Sequence, residues 1–203
     1  MEIEIDQLGK RFQHGWVFKN LHHLFQSNQI YGVSGRNGSG KSTFLKIVSG
    51  LLSPSIGKVN YSHLNQPIKR EDIYTHVSIA APYTDLIEEY NLHEMIAFHI
   101  SLKPSDVFTS IDQWMDMLEF PTSLTRPLYQ FSSGMKQRVK LGLALYSQSD
   151  IILLDEPTSN LDESAKAWFF DQLNKRRANK LIFIASNEDL DFKYCSEIIS
   201  LNS

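Results

Sequence analysis

The run Gly35-Arg36-Asn37-Gly38-Ser39-Gly40-Lys41-Ser42-Thr43 decides the fold of this chain. It matches the pattern G-x-x-x-x-G-K-[ST] and follows the apolar segment Ile30–Val33, whose composition is typical of a buried strand. A helix-compatible run, Phe44–Val48, comes directly after it. A strand, a glycine-rich loop and a helix in this order predict a loop that wraps around the phosphates of a nucleotide. A plain Gly/Ser-rich turn is the alternative, and the two matching flanks disfavour it.

The residue types of this loop indicate how it would bind phosphate. Glycines let the backbone approach an anion closely, so that successive N–H groups and the N-terminus of the following helix point at it. Lys41 is predicted to reach the β- and γ-phosphates, and the Ser42 hydroxyl is predicted to bind Mg²⁺. The predicted nucleotide-binding residues of the loop are Gly35, Asn37, Gly38, Ser39, Gly40, Lys41, Ser42 and Thr43.

The composition is that of an ordinary globular protein. With 203 residues, of which 42% are hydrophobic and 21% charged, we expect a single domain over residues 1–203. The net charge of −3 predicts no binding to nucleic acid. The single cysteine, Cys195, excludes an internal disulfide and favours a reducing cytoplasm. There is no signal-peptide pattern and no run of about 18 apolar residues, so any membrane spans are expected in other chains.

Short apolar runs recur along the chain without clean polar alternation, which is typical of strands buried on both faces of a mostly parallel sheet. The first 30 residues instead predict an antiparallel β-lobe. From about 84 to 147 the apolar period becomes helical, and Ser110 with Gln113 supplies a capping box. The predicted fold class is α/β: a P-loop NTPase core with an N-terminal antiparallel β-lobe and an inserted helical subdomain. The apolar runs are Ile30–Val33, Val77–Ala81, Ile151–Leu154, Leu181–Ala185 and Ile198–Leu201.

Two carboxylates, Asp155 and Glu156, follow the apolar strand Ile151–Leu154. Side chains at the carboxyl end of a strand in an open α/β sheet project into the ligand crevice. Asp155 is therefore predicted to hold Mg²⁺ beside Ser42. Glu156 is predicted to orient and deprotonate the water that attacks the γ-phosphate. An ordinary acidic turn is the alternative, and it loses weight because the phosphate loop precedes it.

A third motif, Phe131-Ser132-Ser133-Gly134-Met135-Lys136-Gln137-Arg138, precedes the helical run Val139–Tyr146. Ser132 or Ser133 can cap this helix, and Gly134 permits an anion to approach its N-terminus. The motif thus describes a second phosphate site, although the first loop already serves one nucleotide. An ordinary capped helix is the alternative.

This third motif resembles the LSGGQ signature of ATP-binding cassette (ABC) ATPases, with Phe131 for Leu, Ser133 for the first Gly and Met135 for Gln. The segment from Gly50 to Gly57 resembles the family's stretch after the P-loop helix. The segment from Pro157 to Asp162 resembles the stretch that includes its D-loop. The resemblance covers nearly the whole chain, with the motifs in the family's order.

The resemblance implies roles for several residues. ABC ATPases dimerise head to tail, so Ser132 and Gly134 would act on the γ-phosphate of ATP held by the partner's Lys41. Asp162 would help communication across the dimer, and Glu156 resembles the catalytic glutamate. Phe12 stands where the family places an aromatic residue that stacks on adenine, although it could instead be a core residue of the β-lobe.

The resemblance also implies partners and a location. The leading interpretation is the ATPase subunit of an ABC transporter, converting ATP and water to ADP and phosphate with Mg²⁺. Its partners would be a second ABC ATPase chain, identical or different, and separate transmembrane subunits. The protein would be cytoplasmic and peripheral on the cytoplasmic face of the membrane. The helical segment about 84–147 would face the membrane subunits, beside Ala80–Tyr83.

Two family elements are missing. The Q-loop glutamine has no counterpart in Ala80-Ala81-Pro82-Tyr83, and Asn187 stands in the place of the H-loop histidine. Asn187 can hydrogen-bond a γ-phosphate oxygen but cannot carry a positive charge. We therefore predict slow hydrolysis with Lys41, Asp155 and Glu156 still in place.

Other function classes fit less well. A non-transport ABC ATPase of translation or DNA repair would carry fused cassettes, long coiled-coil insertions or zinc-hook cysteines, and this sequence has none. A P-loop GTPase or small-molecule kinase leaves the segment Phe131–Arg138 unexplained. An ATP-dependent dimerisation switch with little turnover remains open.

Overall fold

The computed structural model describes residues 1–13 and 15–201. These residues form two β-sheets and five α-helices. The strands are β1 (Glu2–Phe12), β2 (Gly15–Gln26), β3 (Gln29–Ser34), β4 (Ile56–His63), β5 (Gln66–Ile68), β6 (Val77–Ala80), β7 (Ile151–Asp155), β8 (Leu181–Ala185) and β9 (Glu197–Ser200). The α-helices are α1 (Lys41–Val48), α2 (Leu92–Leu102), α3 (Ile111–Met117), α4 (Ser133–Tyr146) and α5 (Glu163–Arg176). Short 3₁₀ helices cover Ile73–His76, Leu128–Gln130 and Asp189–Phe192.

The central sheet of the described residues has the strand order β6-β7-β8-β3-β9, and each neighbouring pair is parallel. Strands β7 and β8 are buried at every position, because packed elements cover both faces of the sheet. The apolar runs of the sequence match the observed strands to within one residue, and the predicted α/β fold class is confirmed. Because the strands are parallel, the carboxyl ends of β3, β7 and β8 meet at one edge, where ligands bind in such sheets.

The second sheet is antiparallel and has the order β2-β1-β4-β5. The predicted β-lobe is confirmed in the hairpin of β1 and β2, which pairs Glu2 with Gln26. Strand β4 comes from beyond α1 and pairs with the other edge of β1, with Glu2 opposite Ser62. The sequence did not predict this addition, because a pairing between distant segments leaves no local pattern.

Two hydrophobic cores lie on opposite faces of the parallel sheet. On one face, α1 and the antiparallel sheet bury an aromatic cluster in which Phe25 lies 4.8 Å from Phe183 and 6.2 Å from Phe44 between ring centroids. On the other face, α2 to α5 pack against the sheet around residues such as Trp114 and Leu154. Each core therefore fixes a different set of loops at the carboxyl edge of the sheet.

The helices between residues 84 and 147 share their core with the parallel sheet. Helix α3 begins after the predicted capping box, in which Ser110 Oγ accepts from the Gln113 N–H at 3.4 Å and Gln113 Oε1 accepts from the Ser110 N–H at 3.3 Å. The long helix α4 contributes Val139 and Leu141 to the same core as Ile152 of β7. Within residues 1–13 and 15–201, no helix is long and apolar enough to cross a membrane.

Candidate functional site

The loop between β3 and α1 has the backbone that its glycines predict. Gly35, Gly38 and Gly40 have φ values of 150°, 82° and 101°, which favour glycine. A Cβ at Gly35 would lie 2.4 Å from Ser39 Oγ, and one at Gly40 would lie 2.2 Å from Val17 Cγ1. Gly40 is also the N-cap of α1, and no side chain of the described residues caps this helix. The first N–H groups of α1 are therefore free of a side-chain cap, as an anion site requires.

Lys41 is the most enclosed charged group of the loop, with 6% of its surface exposed. Its Nζ donates to Gly35 O at 2.9 Å and to Asn187 Oδ1 at 2.6 Å. It also lies 3.5 Å from Glu156 Oε1. A buried ammonium needs such partners because desolvation disfavours its charge. The lysine is thus held by residues from three different segments.

Asn187 follows β8 and connects that strand to the phosphate loop. Besides accepting from Lys41, its Nδ2 donates to Asn37 Oδ1. Its backbone N–H donates to Glu156 Oε2 at 3.4 Å. The residue that stands in place of the family histidine therefore contacts the loop lysine, a loop side chain and the carboxylate predicted to act on water.

Asp155 is the last residue of β7 and is only 1% exposed. Its Oδ2 is buried and has no hydrogen-bond partner among the described residues. Burial raises the pKa of this carboxyl, while the neighbouring Ser42 hydroxyl lowers it. An unpartnered carboxylate oxygen beside a hydroxyl is a donor set that suits Mg²⁺, which prefers hard oxygen ligands.

Glu156 lies one residue further and has φ 49°, in the left-handed region that is uncommon for residues other than glycine. Its backbone N–H donates to Ala185 O at 2.7 Å. Its Oε2 accepts from Ser186 Oγ at 3.1 Å. The turn after β7 thus leaves the sheet and places the carboxylate against the end of β8.

Behind Glu156 lies a second buried carboxyl, Asp191, which is 1% exposed. Neither of its oxygens has a hydrogen bond of normal geometry within the described part of the chain. Burial raises its pKa, and the nearby hydroxyls of Ser186 and Thr158 lower it. No sequence motif predicts a role for Ser186 or Asp191. No local pattern marks Asp191, since it stands in a short polar stretch after β8.

The predicted adenine residue Phe12 lies at the mouth of the same cavity. This cavity, of about 420 Å³, is lined by Phe12, Val17, Asn37, Gly38, Gly40, Lys41, Ser42, Thr43, Pro82, Asp155 and Glu156. Phe12 is 47% exposed, which does not fit a core residue of the β-lobe. Lys10 Nζ lies 5.1 Å from the centre of its ring. Phe12 thus lines the phosphate-loop cavity with an ammonium beside its ring.

The segment without the family glutamine also reaches this cavity. Pro82 lines it, and the ring of Tyr83 lies 3.9 Å from Lys46 Nζ of α1. Burial raises the pKa of the Tyr83 phenol, and the negative charge of Asp155 raises it further. Tyr83 therefore remains neutral and lies within the electrostatic reach of the candidate Mg²⁺ ligand.

Ser132, Gly134 and Asp162 lie together, but in a different cavity. Ser132 Oγ caps α4 by accepting from the Met135 N–H at 3.2 Å. Asp162 caps α5 by accepting from the Ala165 N–H at 2.8 Å. A Cβ at Gly134 would lie 2.8 Å from Asn160 O, so the D-loop segment closes tightly on this helix end.

The second cavity, of about 460 Å³, shares no lining residue with the phosphate-loop cavity among the described residues. Its lining consists of Phe120, Ser132, Ser133, Gly134, Met135, Arg138, Asn160, Asp162 and Ala165. Within one chain, the fold brings the loop, Asp155, Glu156 and Asn187 together. It does not bring Ser132, Gly134 or Asp162 to them.

Comparisons with known proteins agree with this geometry. The sequence model of a family described as "ABC transporter" matches residues 18–159. The chain is 29% identical to the uncharacterized ABC transporter ATP-binding protein YybJ of Bacillus subtilis, covering 98% of this chain and 92% of that protein. It is 25% identical to the Nod factor export ATP-binding protein I of Burkholderia lata, covering 91% of this chain and 62% of that protein.

Solved structures show the same fold. A putative ABC transporter ATP-binding protein from Pyrococcus furiosus superposes with a TM-score of 0.83 at 22% identity, covering 99% of this chain and 98% of the other. An ATP-binding cassette in a dimeric, post-hydrolysis state with ADP and Pi superposes with a TM-score of 0.81 at 20% identity, covering 98% of this chain and 94% of the other. At these identities the likeness concerns the fold.

Proposed function

The chain belongs to the ABC transporter family, as an ATP-binding ATPase subunit, and we propose that it works as one half of a dimer coupled to separate membrane-spanning chains. The observation that supports this most directly is the division of the phosphate-binding features between two cavities of one chain. The first holds Lys41, Asp155 and Glu156, while the second holds Ser132 and Gly134.

In the first cavity, the chain's own groups would bind and orient the nucleotide. The uncapped N-terminus of α1 and the Lys41 ammonium would hold the phosphates, and Phe12 would stack on the base. Ser42 and Asp155 would hold Mg²⁺, which would offset the negative charge of the phosphates. The unpartnered Oδ2 of Asp155 supports this assignment.

Glu156 would act on the attacking water in the hydrolysis of ATP to ADP and phosphate. Its carboxylate is held by the Ser186 hydroxyl and faces Lys41. Binding of a γ-phosphate would give Lys41 a stronger acceptor than Asn187, and Glu156 would then accept a proton from water. Asn187 would donate a neutral hydrogen bond to the phosphate, which supports slow turnover.

The second cavity would complete the site of the partner chain. In a head-to-tail dimer, Ser132 and the α4 N-terminus would face the γ-phosphate bound by the other copy's Lys41. Asp162 would act next to that contact through the segment that closes on Gly134. A homodimer and a dimer with a different ABC ATPase use the same geometry.

A groove on the helical side supports coupling to membrane subunits. It has a volume of about 270 Å³ and lies between β6, α2 and α4, beside the segment that follows Ala80. Its lining is Val77, Ser78, Ile79, Thr84, Asp85, Leu86, Met95, His99, Lys103, Lys140, Leu143, Ala144 and Ser147. We place the protein on the cytoplasmic face of the membrane, with this groove toward the transmembrane chains.

Mixing two inactive variants tests the composite site. Lys41→Ala disables the first cavity, and Gly134→Asp disables the second. In a mixed dimer one site carries both lesions and the other carries none, so random mixing restores about one quarter of the wild-type phosphate release. A mixture as inactive as its components, beside an active wild type, would contradict a site completed by the partner.

The same assay tests the second candidate function, an ATP-dependent dimerisation switch. The presence of Asn187 in place of the family histidine favours this function. A wild type that binds ATP and dimerises without releasing phosphate would support the switch. Coupling is tested by purification from detergent-solubilised native membranes. Co-purification of a multi-span protein supports transport, whereas recovery only with ribosomes contradicts it.

A further inference from the structure

A cluster of metal-ligating side chains lies far from the nucleotide cavity. His63 ends β4, His76 ends the 3₁₀ helix before β6, and Asp150 immediately precedes β7. Since β6 and β7 are parallel, His76 and Asp150 mark the amino-terminal edge of the sheet. The nucleotide residues lie at the opposite, carboxyl-terminal edge. The cluster is therefore separate from the phosphate loop.

The three ligand atoms are close enough to share one ion. The Nδ1 atoms of His76 and His63 lie 2.6 Å and 3.8 Å from Asp150 Oδ2. All three ligand atoms lie within 4.8 Å of one another. Tetrahedral Zn²⁺ with bonds of about 2.0–2.1 Å places its ligand atoms about 3.3 Å apart. The observed separations of 2.6 Å and 3.8 Å lie on either side of that spacing.

One nitrogen in the cluster is not explained by ordinary hydrogen bonding. The hydrogen bond between His76 and Asp150 explains the arrangement of those two side chains without a metal ion. His63 Nδ1, however, is buried and has no hydrogen-bond partner within residues 1–13 and 15–201. Its ring lies 5.8 Å from that of His76 and points Nδ1 toward Asp150. A cation between the three groups would give this lone pair a partner.

The backbone holds two of the ligands in place. The Asp150 N–H donates to His76 O at 2.9 Å, and the Leu181 N–H donates to Asp150 O at 2.8 Å. His76 and Asp150 are therefore hydrogen-bonded to each other directly before β6 and β7 of the central sheet. His63 comes from the antiparallel sheet, where Leu64 and Asn65 form the following turn at positive φ. An ion here would join the two sheets of the molecule.

Two lysines near the cluster have other partners. Lys103 Nζ donates to Val77 O and to Tyr74 O, and Lys180 Nζ donates to Ser149 O and to Asp106 Oδ2. Each ammonium thus has acceptors outside the three candidate ligands. Their positive charges lower the affinity for a cation but leave the donor set complete.

We propose that His63, His76 and Asp150 bind one divalent transition-metal ion of the zinc class, with water as a fourth ligand. Two imidazoles and a carboxylate are the ligands that Zn²⁺ favours, whereas Mg²⁺ prefers oxygen ligands. The ion fastens the β4–β5 hairpin to the start of β6 and β7. Its role is structural, because it joins segments of the two sheets at the edge opposite the nucleotide residues.

The test uses untagged full-length protein, freed of metal with a chelator and studied without nucleotide. Zn²⁺ binding is measured by calorimetry, and Co²⁺ is added as a spectroscopic probe of tetrahedral coordination. The wild type is expected to bind one ion per chain and to show a raised unfolding temperature. His63→Ala, at a partly exposed site, is expected to weaken binding at least about tenfold and abolish the shift.

His22→Ala is the matched control, because His22 forms an exposed pair with Asp6 at 3.2 Å and has no third ligand among residues 1–13 and 15–201. It is expected to bind Zn²⁺ as the wild type does. The proposal is overturned if the wild type binds no ion, if His63→Ala binds it equally well, or if His22→Ala loses the binding. ATP hydrolysis with Mg²⁺ is measured in parallel and is expected to survive in His63→Ala, so that failure here leaves the proposed function standing.

Discussion

The phosphate-loop cavity and the signature cavity both lie at helix N-termini, yet they treat those ends in opposite ways. Helix α1 begins at Gly40 without a side-chain cap within the described chain, whereas Ser132 caps α4 and Asp162 caps α5. The first cavity also encloses a buried ammonium and an unpartnered carboxylate oxygen. In the second cavity, side chains that line the cavity cap the helix N-termini. The comparison indicates that the N-terminus of α1 is suited to bind a ligand within its own chain. The N-termini of α4 and α5 are suited to contact a ligand that is held elsewhere.

The largest expected effect is the loss of Lys41. Lys41→Ala should abolish measurable phosphate release and weaken ATP binding, because the cavity loses its one buried ammonium among the described residues. Steady-state phosphate release and equilibrium binding of a fluorescent ATP analogue measure the two effects. Lys58→Ala, exposed on β4, is the control and should leave both unchanged. Near-normal turnover in Lys41→Ala would mean that the two cavities are not divided as described.

Glu156→Gln should separate binding from turnover. The amide keeps the shape of the side chain but cannot accept a proton, so turnover should fall by about 10²–10³-fold while ATP affinity stays near wild type. Because the bound ATP is then hydrolysed slowly, the ATP-bound dimer should accumulate. Size-exclusion chromatography with Mg²⁺ and ATP can detect it. If turnover fell less than about threefold, another group would have to activate the water.

Asn187→His tests whether the departure from the family pattern limits the reaction. Histidine would restore a side chain that can carry charge near the γ-phosphate, and turnover should rise about tenfold. The rate is measured at saturating ATP, with Asn187→Ala as the comparison that removes both side-chain contacts. An unchanged rate in Asn187→His would show that Asn187 is not the limiting group and would shift attention to Pro82 and Tyr83.

The smallest effect concerns the capped helix ends. Ser132→Ala removes the cap of α4 and should lower the free energy of unfolding by about 1 kcal/mol. Asp162→Ala should also destabilise the fold, by removing the cap of α5. Denaturant unfolding of the isolated chain measures both losses. Ser42→Ala in α1 is the contrasting variant, since it should weaken Mg²⁺-dependent ATP binding with little change in stability. If Ser42→Ala lowered the free energy of unfolding by about 1 kcal/mol as well, the contrast between an uncapped α1 and a capped α4 would be contradicted.

Local patterns in the sequence predicted the parts of this site that lie on single elements. The loop from Gly35 to Thr43 and the pair Asp155–Glu156 each follow a buried strand, and the parallel sheet brings those strand ends together. Asn187 was predicted instead from the family resemblance, as the counterpart of the histidine that follows β8. The sequence thus predicted both the fold class and the edge of the sheet at which these residues meet.

Contacts between distant segments were not predictable in this way. The pairing of β4 with β1, the hydrogen bond from Lys41 to Asn187 and the burial of Asp191 all join residues far apart in sequence. They depend on how the two sheets and their helices pack, which no local period encodes. The separation of Ser132 from Lys41 belongs to the same class, and only the resemblance to a dimeric family anticipated it.

The left-handed backbone of Glu156 links activity to stability at a single position. A non-glycine residue at φ 49° lowers the stability of the fold. This strained backbone conformation places the carboxylate against Ser186. Glycine would adopt the same conformation without strain but would remove the carboxylate. Removing the side chain would relieve the strain but would also take away the carboxylate that faces the buried Lys41 ammonium. The strained position therefore holds both a charge partner for Lys41 and the carboxylate that we propose acts on water.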